Sequence, residues 1–457
     1  MGTVGLNFGA INSGTGIDVA ATVSQIIAAE QAVETPWKNQ LTTLKAQDTA
    51  FSSIGTDLAT LSSSLQALTG FSGVFAAKQG ASSDTNVIAL SSATSTAVAG
   101  SHSITVNSLA QTSSMYSGVI ANVGDTLSGS LTIQIGSGTA QTITVGSTSN
   151  TLSSLAAAIN GASIGVRASV IKDTTGSRLS LVSATSGAAG QITLSGSLTD
   201  ATTGTSVSFQ QGQQGQDASL NIDGLDITTA SNTVSDVIPG VTFQILAATG
   251  SSQPVQVQIA NDNSTITQAM SAFVTAYNAV VTDIKTQEGK DANGSAQPLY
   301  GDPTLALIQS QLSSGLLGGS ASGAITSIGQ LGLSIGQNGM LTLDSGQLQS
   351  VLNTNFSDVM GYFQNVNSFG QTLNKSLNGL SSTLTSGAIY LALQQNAAQE
   401  TSLNKNISDQ ETRIAADKAR LTDQLNTANQ ILQDLPNQIN AVNQLYSAVT
   451  GYNQQNG

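Results

Sequence analysis

Charged, aromatic and chemically reactive side chains are all scarce in this chain of 457 residues. It contains no cysteine, which excludes disulfides, thiolate metal sites and thiol nucleophiles. Only 9% of the residues are charged and 4% are aromatic, whereas 39% are hydrophobic. The chain can therefore bury several cores, but we expect its surface to consist largely of uncharged polar groups.

The residue types that enzymes use for catalysis are nearly absent. His102 is the only histidine, so the chain has no histidine pair for a metal and one candidate at most for a serine triad. The carboxylates of Asp217, Asp223 and Asp226 lack the spacing and the glutamate of an EF-hand, and we interpret them as solvated turn residues. We predict that the chain is not an enzyme and binds no cofactor or metal.

Basic residues are also few. The chain has 13 basic and 26 acidic residues, a net charge of −13, and no basic cluster that would neutralise a phosphate backbone. We therefore expect no nucleic-acid partner.

No apolar run is long enough to span a membrane, and Met1 to Gly16 lacks the basic and apolar segments of a Sec signal peptide. We expect neither membrane insertion nor a cleaved leader of that type.

The most regular pattern in the sequence is a seven-residue repeat near the C-terminus, over residues 403–446. Apolar side chains recur at intervals of seven, and a second series joins them three or four residues away. A repeat of this kind keeps one face of a long helix turned toward a partner, as in a coiled coil. Pro436 lies inside the repeat and predicts a kink or break near residues 432–436.

A matching repeat lies near the N-terminus, where apolar residues recur at intervals of seven from Leu44 to Leu65. We interpret the two repeats as partners, so that the ends of the chain meet. The residues expected to pack this seam or a contact between subunits are Leu44, Phe51, Leu58, Leu65, Ile407, Ile414, Leu421, Leu425, Leu432, Leu435, Ile439 and Val442. The charged Glu411 and Lys418 fall on the second series and are expected to weaken pairing there.

Between the repeats, from about residue 76, the helical period gives way to alternating patterns typical of strands. Thr151 is placed to cap a short helix, and residues 183–216 are interpreted as loops because large apolar groups are few. The segments 143–159 and 225–238 look alike, each a strand pair followed by a short helix, which suggests two modules.

These patterns predict an α+β protein of several domains, in which both chain ends form a discontinuous helical region around an inserted β-rich head. We expect a terminal helical leg from residues 1–44 and 411–457 and a helical body from residues 45–75 and 262–410. The head is expected to contain one module from 76–115 and 210–261, and a second module with a short helix from 116–209.

Several motifs resemble those of the flagellar filament-capping proteins, the hook-associated protein 2 family. Near the N-terminus these are Gly14-Thr15-Gly16-Ile17-Asp18-Val19, the helix Val23 to Glu30, and Pro36. In the C-terminal half they are Phe273 to Val281, Gly301 to Leu305, the Asn338-Gly339 turn and Phe356 to Phe363, in the family's order. The resemblance covers both ends and about half the chain well.

This resemblance implies a function that is steric and conformational. Several copies would form a ring at the distal tip of the filament, retain exported flagellin and promote its polymerisation, with the legs reaching between flagellin subunits. It implies secretion through the flagellar export channel and, as further partners, hook-filament junction proteins and an export chaperone.

Two other classes of function remain open from the sequence. A surface adhesin, or another filament-end protein, would bind glycans or host surfaces through the polar β-rich head. An enzyme acting on cell-wall polymers is disfavoured because no pair of carboxylates stands in a recognisable catalytic context.

Overall fold

The computed structural model describes residues 18–250 and 253–450, which form two compact units. The terminal unit combines Met1–Thr69 with Thr267–Gly457, and the inserted unit is the continuous stretch Gly70–Ile266. Helices dominate the first and antiparallel strands the second, so the prediction of an α+β fold built from joined chain ends is confirmed. The finer boundaries of leg, body and head modules stay a prediction.

The α-helices differ widely in length, from nine to 63 residues. They are α1 Val19–Gln31, α2 Glu34–Thr69, α3 Leu152–Gly161, α4 Asn263–Gln287, α5 Pro303–Leu317, α6 Ser345–Thr354, α7 Phe356–Gln364, α8 Phe369–Leu380 and α9 Ala388–Thr450. Of the kink or break predicted near Pro436, the break is wrong, because α9 continues through this residue, and the kink stays a prediction.

Side-chain caps set several of the helix starts. The carboxylate of Asp18 accepts a hydrogen bond from the Ala21 amide at the start of α1, and Asp302 does the same for α5. Thr151 and Ser154 form a reciprocal capping box on α3. Each such cap satisfies amides that have no partner within the helix, which stabilises the start by about 1 kcal/mol.

The strands of the inserted unit are short and antiparallel. They are β1 Lys78–Ser82, β2 Ile88–Ala93, β3 Gly100–Ser108, β4 Thr112–Ser117, β5 Leu127–Ile135, β6 Gln141–Thr144, β7 Val166–Asp173, β8 Gly176–Ser186, β9 Ile192–Asp200, β10 Thr205–Ser206, β11 Phe209–Gln213, β12 Ala218–Ile222, β13 Leu225–Thr229, β14 Thr233–Ser235, β15 Val241–Ile245 and β16 Val255–Asn261. The hairpin strands β17 Leu333–Ile335 and β18 Leu341–Leu343 belong to the terminal unit.

One core of the inserted unit lies between a five-stranded sheet, β1-β16-β3-β12-β13, and the three strands β14-β15-β2. Phe243, Leu220 and Val257 are fully buried in it. Strands β1 and β16, the first and last of the unit, are adjacent in the sheet, with Lys78 opposite Asn261. The entry and exit of the inserted unit therefore lie side by side.

A second core lies between the sheets β10-β9-β5-β6 and β11-β4-β8-β7, with α3 packed against it through Leu155 and Ile159. The strand β9 corrects the interpretation of residues 183–216 as loops. Of its three large side chains, Ile192 and Leu198 are buried and Leu194 is half-buried against the second core, and the strand pairs with β5 along nine residues. The second half of the proposed repeat is also different, because residues 233–235 form a strand rather than a helix.

Within the terminal unit, three aromatic rings mark the tightest packing between α7 and α8. The rings of Tyr362 and Phe369 are stacked with centroids 5.2 Å apart, and the Phe363 ring meets Phe369 edge-on at 5.6 Å. Gly319 has a φ of +96°, and an added Cβ would lie 2.4 Å from the Phe369 backbone. A glycine is therefore required where that loop passes the cluster.

Candidate functional site

The candidate site is the seam where helices from the two chain ends pack together, and it has no catalytic centre in the part of the chain that the structure describes. On α2, the predicted packing residues Leu44, Phe51, Leu58 and Leu65 are all buried. α2 packs against α9, and Ile407 and Ile414 are buried on α9. Burying a leucine or isoleucine contributes about 1.5–3 kcal/mol, so these side chains stabilise the terminal unit, and their pairing across one seam stays a prediction.

A polar pair lies inside this apolar seam. Asn396 on α9 is buried, and its Nδ2 atom donates a hydrogen bond of 2.8 Å to Oδ1 of Asp48 on α2. Sequence reasoning missed this pair because asparagine and aspartate do not register in an apolar repeat. The only signal was that Asp48 lies within the repeat, between Leu44 and Phe51.

Helix α1 covers the next part of α9. Val23, Ile27 and Ile414 are buried together, and Leu421 and Leu425 pack against them as half-buried neighbours. This cluster is small, with three buried side chains in the part of the chain that the structure describes. It holds α1 against the segment of α9 in which heptads and charges alternate.

The joint between α1 and α2 contains a buried carboxylate. Glu34 is 2% exposed, and its Oε2 lies 2.7 Å from Nζ of Lys38, which also lies 3.4 Å from Glu411 on α9. The other oxygen, Oε1, has no hydrogen-bond partner among the described residues. Lys38 is held chiefly by Glu34, which raises the pKa of its ammonium group. The Lys38–Glu411 pair is exposed on both sides, so solvent screens it and it contributes little to stability.

Beyond α1, the apolar stripe of α9 is open to solvent. Leu432, Leu435, Ile439 and Val442 were predicted to pack, and they are 39–65% exposed. Further exposed residues continue the stripe: Ile431, Leu445, Tyr446 and Val449. The 19 residues from 431 to 449 span roughly 28 Å of helix. We call residues 431–449 the α9 stripe. The seam is therefore covered in its first half and uncovered in its second.

The chain's titratable groups show ordinary structural chemistry. In the inserted unit, Nδ1 of His102 lies 2.7 Å from Oδ2 of Asp223, whose other oxygen accepts from the Ser103 amide. The hydrogen bond to His102, followed by that to Ser103, lowers the pKa of the Asp223 carboxyl. In the terminal unit, burial and then the neighbouring Asp283 raise the pKa of Asp57.

Residues 18–250 and 253–450 contain neither a candidate metal site nor a candidate membrane span. No group of three or more histidine or acidic residues is arranged to hold a metal ion there. No helix in those residues is both long and apolar enough to cross a membrane. The exposed apolar surface of α9 is one feature that suits contact with another protein.

A discontinuous helical unit around an inserted β-rich unit, with a partly open helical seam, defines a structural protein that acts through its surfaces. Two family descriptions match the sequence: "Flagellar hook-associated protein 2 N-terminus" over residues 15–113 and "Flagellar hook-associated protein 2 C-terminus" over residues 215–440. The chain belongs to the flagellar hook-associated protein 2 family, the structural caps of the bacterial flagellar filament, which are not enzymes.

Similar proteins cover almost the whole chain. The B-type flagellar hook-associated protein 2 of Pseudomonas aeruginosa is 30% identical over 441 residues, covering 90% of this chain and 91% of that protein. The protein of the same name from Escherichia coli is 27% identical over 446 residues, covering 92% and 94%. The crystal structure of the D1-D2-D3 domains of the flagellar cap protein FliD from Escherichia coli superposes with a TM-score of 0.58 at 26% identity, covering 76% of this chain and 99% of that one.

Proposed function

We propose that several copies of this chain form a ring at the distal tip of the flagellar filament, where they retain exported flagellin and promote its polymerisation. The chain reaches that position by secretion through the flagellar export channel. Membership in the cap family supports the location at the filament tip. The single observation that carries the mechanism is the exposed α9 stripe, because a contiguous apolar surface on a helix marks a site of protein contact.

In this proposal the α9 stripe is the part of the leg that enters between flagellin subunits. Helix α1 covers α9 up to Leu425, and the stripe begins six residues later at Ile431. The leg is thereby anchored to its own body at one end and offers apolar side chains at the other. Two further sets of partners, hook-filament junction proteins and an export chaperone, belong to the proposal on the resemblance alone.

The contacts that hold the leg are individually weak, which suits a cap that must release and rebind as each flagellin is added. The α1 cluster buries few side chains, and the Lys38–Glu411 pair is exposed. A contact that buries little apolar area is weak. Because differences in affinity among related contacts lie mainly in the dissociation rate, such a contact dissociates quickly.

A complementation experiment tests the proposal. A strain lacking the gene is supplied with the wild-type chain, with Leu435→Asp and Val442→Asp combined, or with Asn437→Asp and Gln444→Asp combined. The control pair adds the same charge to the opposite face of the same helical turns. We expect the first variant to leave cells without filaments and with monomeric flagellin in the medium, whereas the control restores motility.

Filament growth and motility at wild-type levels with the Leu435 and Val442 variant would contradict the use of the stripe. Loss of motility with both variants would indicate a general intolerance of charge on α9. Circular dichroism of each purified chain establishes that the helix is retained.

A further inference from the structure

Helix α1 is joined to α2 by a short turn with few backbone hydrogen bonds. Ala32 and Val33 separate the two helices, and Val33 is 53% exposed. In a continuous helix the amide of residue 36 would donate to the Ala32 carbonyl, but Pro36 has no N–H. The Thr35 amide donates to that carbonyl instead, over a long distance of 3.4 Å. Such a turn can act as a hinge, because a few residues at a helix end absorb a change of direction.

The contact between α1 and α9 buries few side chains. Val23 and Ile27 of α1 are buried together with Ile414 of α9, and Leu421 and Leu425 of α9 pack against them as half-buried neighbours. We call Ile414, Leu421 and Leu425 the α1 footprint. These three residues belong to the same seven-residue repeats as the α9 stripe, so the covered and uncovered residues lie on one face of the helix.

The α1 footprint and the α9 stripe together form one long apolar face. The stripe covers residues 431–449, and the face that includes the footprint covers residues 414–449. At 1.5 Å per residue these 36 residues span roughly 54 Å, compared with roughly 28 Å for the stripe alone. Ala428, between the two parts, continues the repeat and is half-buried. The position of α1 therefore determines how much apolar surface α9 offers to a partner.

The docked arrangement of α1 buries a carboxylate that is only half paired. Glu34 is the first residue of α2 and is 2% exposed. Its Oε2 atom accepts a hydrogen bond of 2.7 Å from Nζ of Lys38, whereas Oε1 has no partner in the part of the chain that the structure describes. The Lys38 side chain is 52% exposed, so solvent screens this ion pair. Because both oxygens of a carboxylate accept hydrogen bonds in water, burying one of them unpaired disfavours the docked arrangement.

We propose that α1 is a releasable cover of α9, and that its release adds the α1 footprint to the surface that binds flagellin. Glu34 directly follows the hinge, and its partner Lys38 also lies 3.4 Å from Glu411 on α9, so the carboxylate is located where the three helices meet. When α1 leaves α9, water hydrates the Glu34 carboxylate, and this gain offsets part of the apolar contact that is lost. The inference rests on the proposed function, which supplies the partner.

Flagellin is the partner of the uncovered footprint because the footprint continues the α9 stripe, which is proposed to contact flagellin. A closed cover protects the free chain, since a contiguous apolar face of roughly 54 Å would promote self-association. A partner that binds only the open state must supply the free energy of opening. The unpaired oxygen of Glu34 keeps that free energy small, so α1 yields to flagellin and can close again after release.

The position of Glu34 at the N-terminus of α2 allows a second, opposite effect. A negative charge near the N-terminus of a helix is ordinarily stabilising. If this effect dominates, a neutral side chain at position 34 weakens the docking of α1. If the unpaired buried oxygen dominates, as we propose, a neutral apolar side chain holds α1 more tightly.

Hydrogen exchange of the α1 amides in the purified full chain distinguishes the two effects. Helix α1 has 13 residues, and a helix of that length is marginal in water, so its amides exchange when it leaves α9. Glu34→Met removes the charge and keeps an unbranched side chain, and we expect it to slow this exchange about tenfold. Lys38→Met leaves Glu34 without its partner and should accelerate the exchange about tenfold.

Glu288→Met is the matched control, because it makes the same change at an exposed position after α4. It should leave the exchange of α1 within about twofold of the wild type. Unchanged or faster exchange in Glu34→Met, or loss of its fold, would contradict the proposal and favour a stabilising role at the helix N-terminus.

A cross-link between α1 and α9 tests whether release is needed for binding. The chain has no cysteine, so Val19→Cys and Leu425→Cys, both half-buried in the contact, supply the only thiols for a bismaleimide linker with an internal disulfide. Cosedimentation with preformed flagellin filaments measures binding. We expect the cross-linked chain to bind at least about tenfold more weakly than the same chain after reduction of the linker.

Equal binding of the cross-linked and reduced chains would overturn the releasable cover and leave the proposed function intact. Absence of binding by the wild type and the reduced chain alike would contradict the proposed function and, with it, this inference.

Discussion

The Nδ2 atom of Asn396, on α9, donates a hydrogen bond of 2.8 Å to Oδ1 of Asp48, on α2, across 348 positions of the sequence. Asn396 is buried and Asp48 is half-buried, so this pair favours one alignment of the helices, because a shift along the seam leaves the buried Asn396 amide without this partner.

Replacing Asn396 with alanine should therefore lower the free energy of unfolding of the terminal unit by about 1–3 kcal/mol, because it removes a hydrogen bond to the half-buried carboxylate of Asp48. Urea denaturation followed by circular dichroism measures the change. Gln399→Ala, at an exposed position three residues further along α9, is the control. Equal stability of the two variants would show that the pair does not fix the seam.

The small cluster that holds α1 makes its docking sensitive to a single side chain. Ile414→Ala should weaken the packing of Val23 and Ile27 by about 2 kcal/mol and accelerate amide exchange in α1 about 30-fold. Hydrogen exchange with mass spectrometry measures this, and exchange in α8 serves as an internal reference. The exposed Arg413→Ala is the matched variant. Unchanged exchange in α1 would mean that other contacts hold it.

Asp57 and Asp283 give the terminal unit a specific pH dependence. The pKa of Asp57 is raised by burial and by Asp283, so its ionisation disfavours the folded state. A raised carboxyl pKa contributes stability at low pH that is lost as the pH rises through the folded value. Asp57→Asn should therefore raise the urea midpoint at pH 7 and leave it nearly unchanged at about pH 3, below the ordinary pKa. Asp434→Asn, exposed on α9, should show no such difference.

The His102–Asp223 contact predicts the opposite dependence in the inserted unit. The pKa of Asp223 is lowered, so the stability that its ionised form contributes is full above the ordinary carboxyl pKa of about 3.9 and is lost as the pH falls through the folded value. Asp223→Asn keeps a side chain that tolerates the observed φ of +52°. The variant should be less stable than the wild type at pH 6 and converge with it in acid, as measured by thermal unfolding. A constant difference at every pH would contradict this assignment.

The aromatic cluster of α7 and α8 should carry much of the stability of the surrounding helices. Phe369 is fully buried against Tyr362 and Phe363, so Phe369→Ala should cost about 3–5 kcal/mol. Val366→Ala, three residues away and 86% exposed, should change the stability by less than about 0.5 kcal/mol. Calorimetry of both variants decides, and a small effect of Phe369→Ala would show that the cavity collapses.

Much of the helical architecture could be predicted from the sequence because its signals are local. Thr151 was recognised as a cap, and it caps α3. The strand β9 was missed because it contains few large side chains and forms through pairing with β5, a partner more than fifty residues away. A helix break was predicted at Pro436 because proline removes a backbone hydrogen bond. That loss is local, whereas the helix continues on both sides of Pro436.

The surfaces proposed to contact partners were harder to foresee. Heptad spacing located the seam, but it does not distinguish the buried Ile414 from the exposed Leu435, because both positions follow the same repeat. The difference in exposure between Ile414 and Leu435 arises because α1 packs against α9 from Ile414 to Leu425 and does not reach Leu435. The contact between Arg178 and the Tyr116 ring was not predicted, since the two residues lie on different strands and meet only through strand register.

The pairing of Lys78 with Asn261 at the two ends of the inserted unit has a consequence for the order of folding. Helix α2 packs against α9, and the whole inserted unit lies between these two helices in the sequence. Bringing the two together across an unstructured insert would impose the chain-entropy cost of closing a long loop. An inserted unit that has already folded replaces that loop with two adjacent strand ends. The chain-entropy cost of bringing α2 and α9 together is then much smaller.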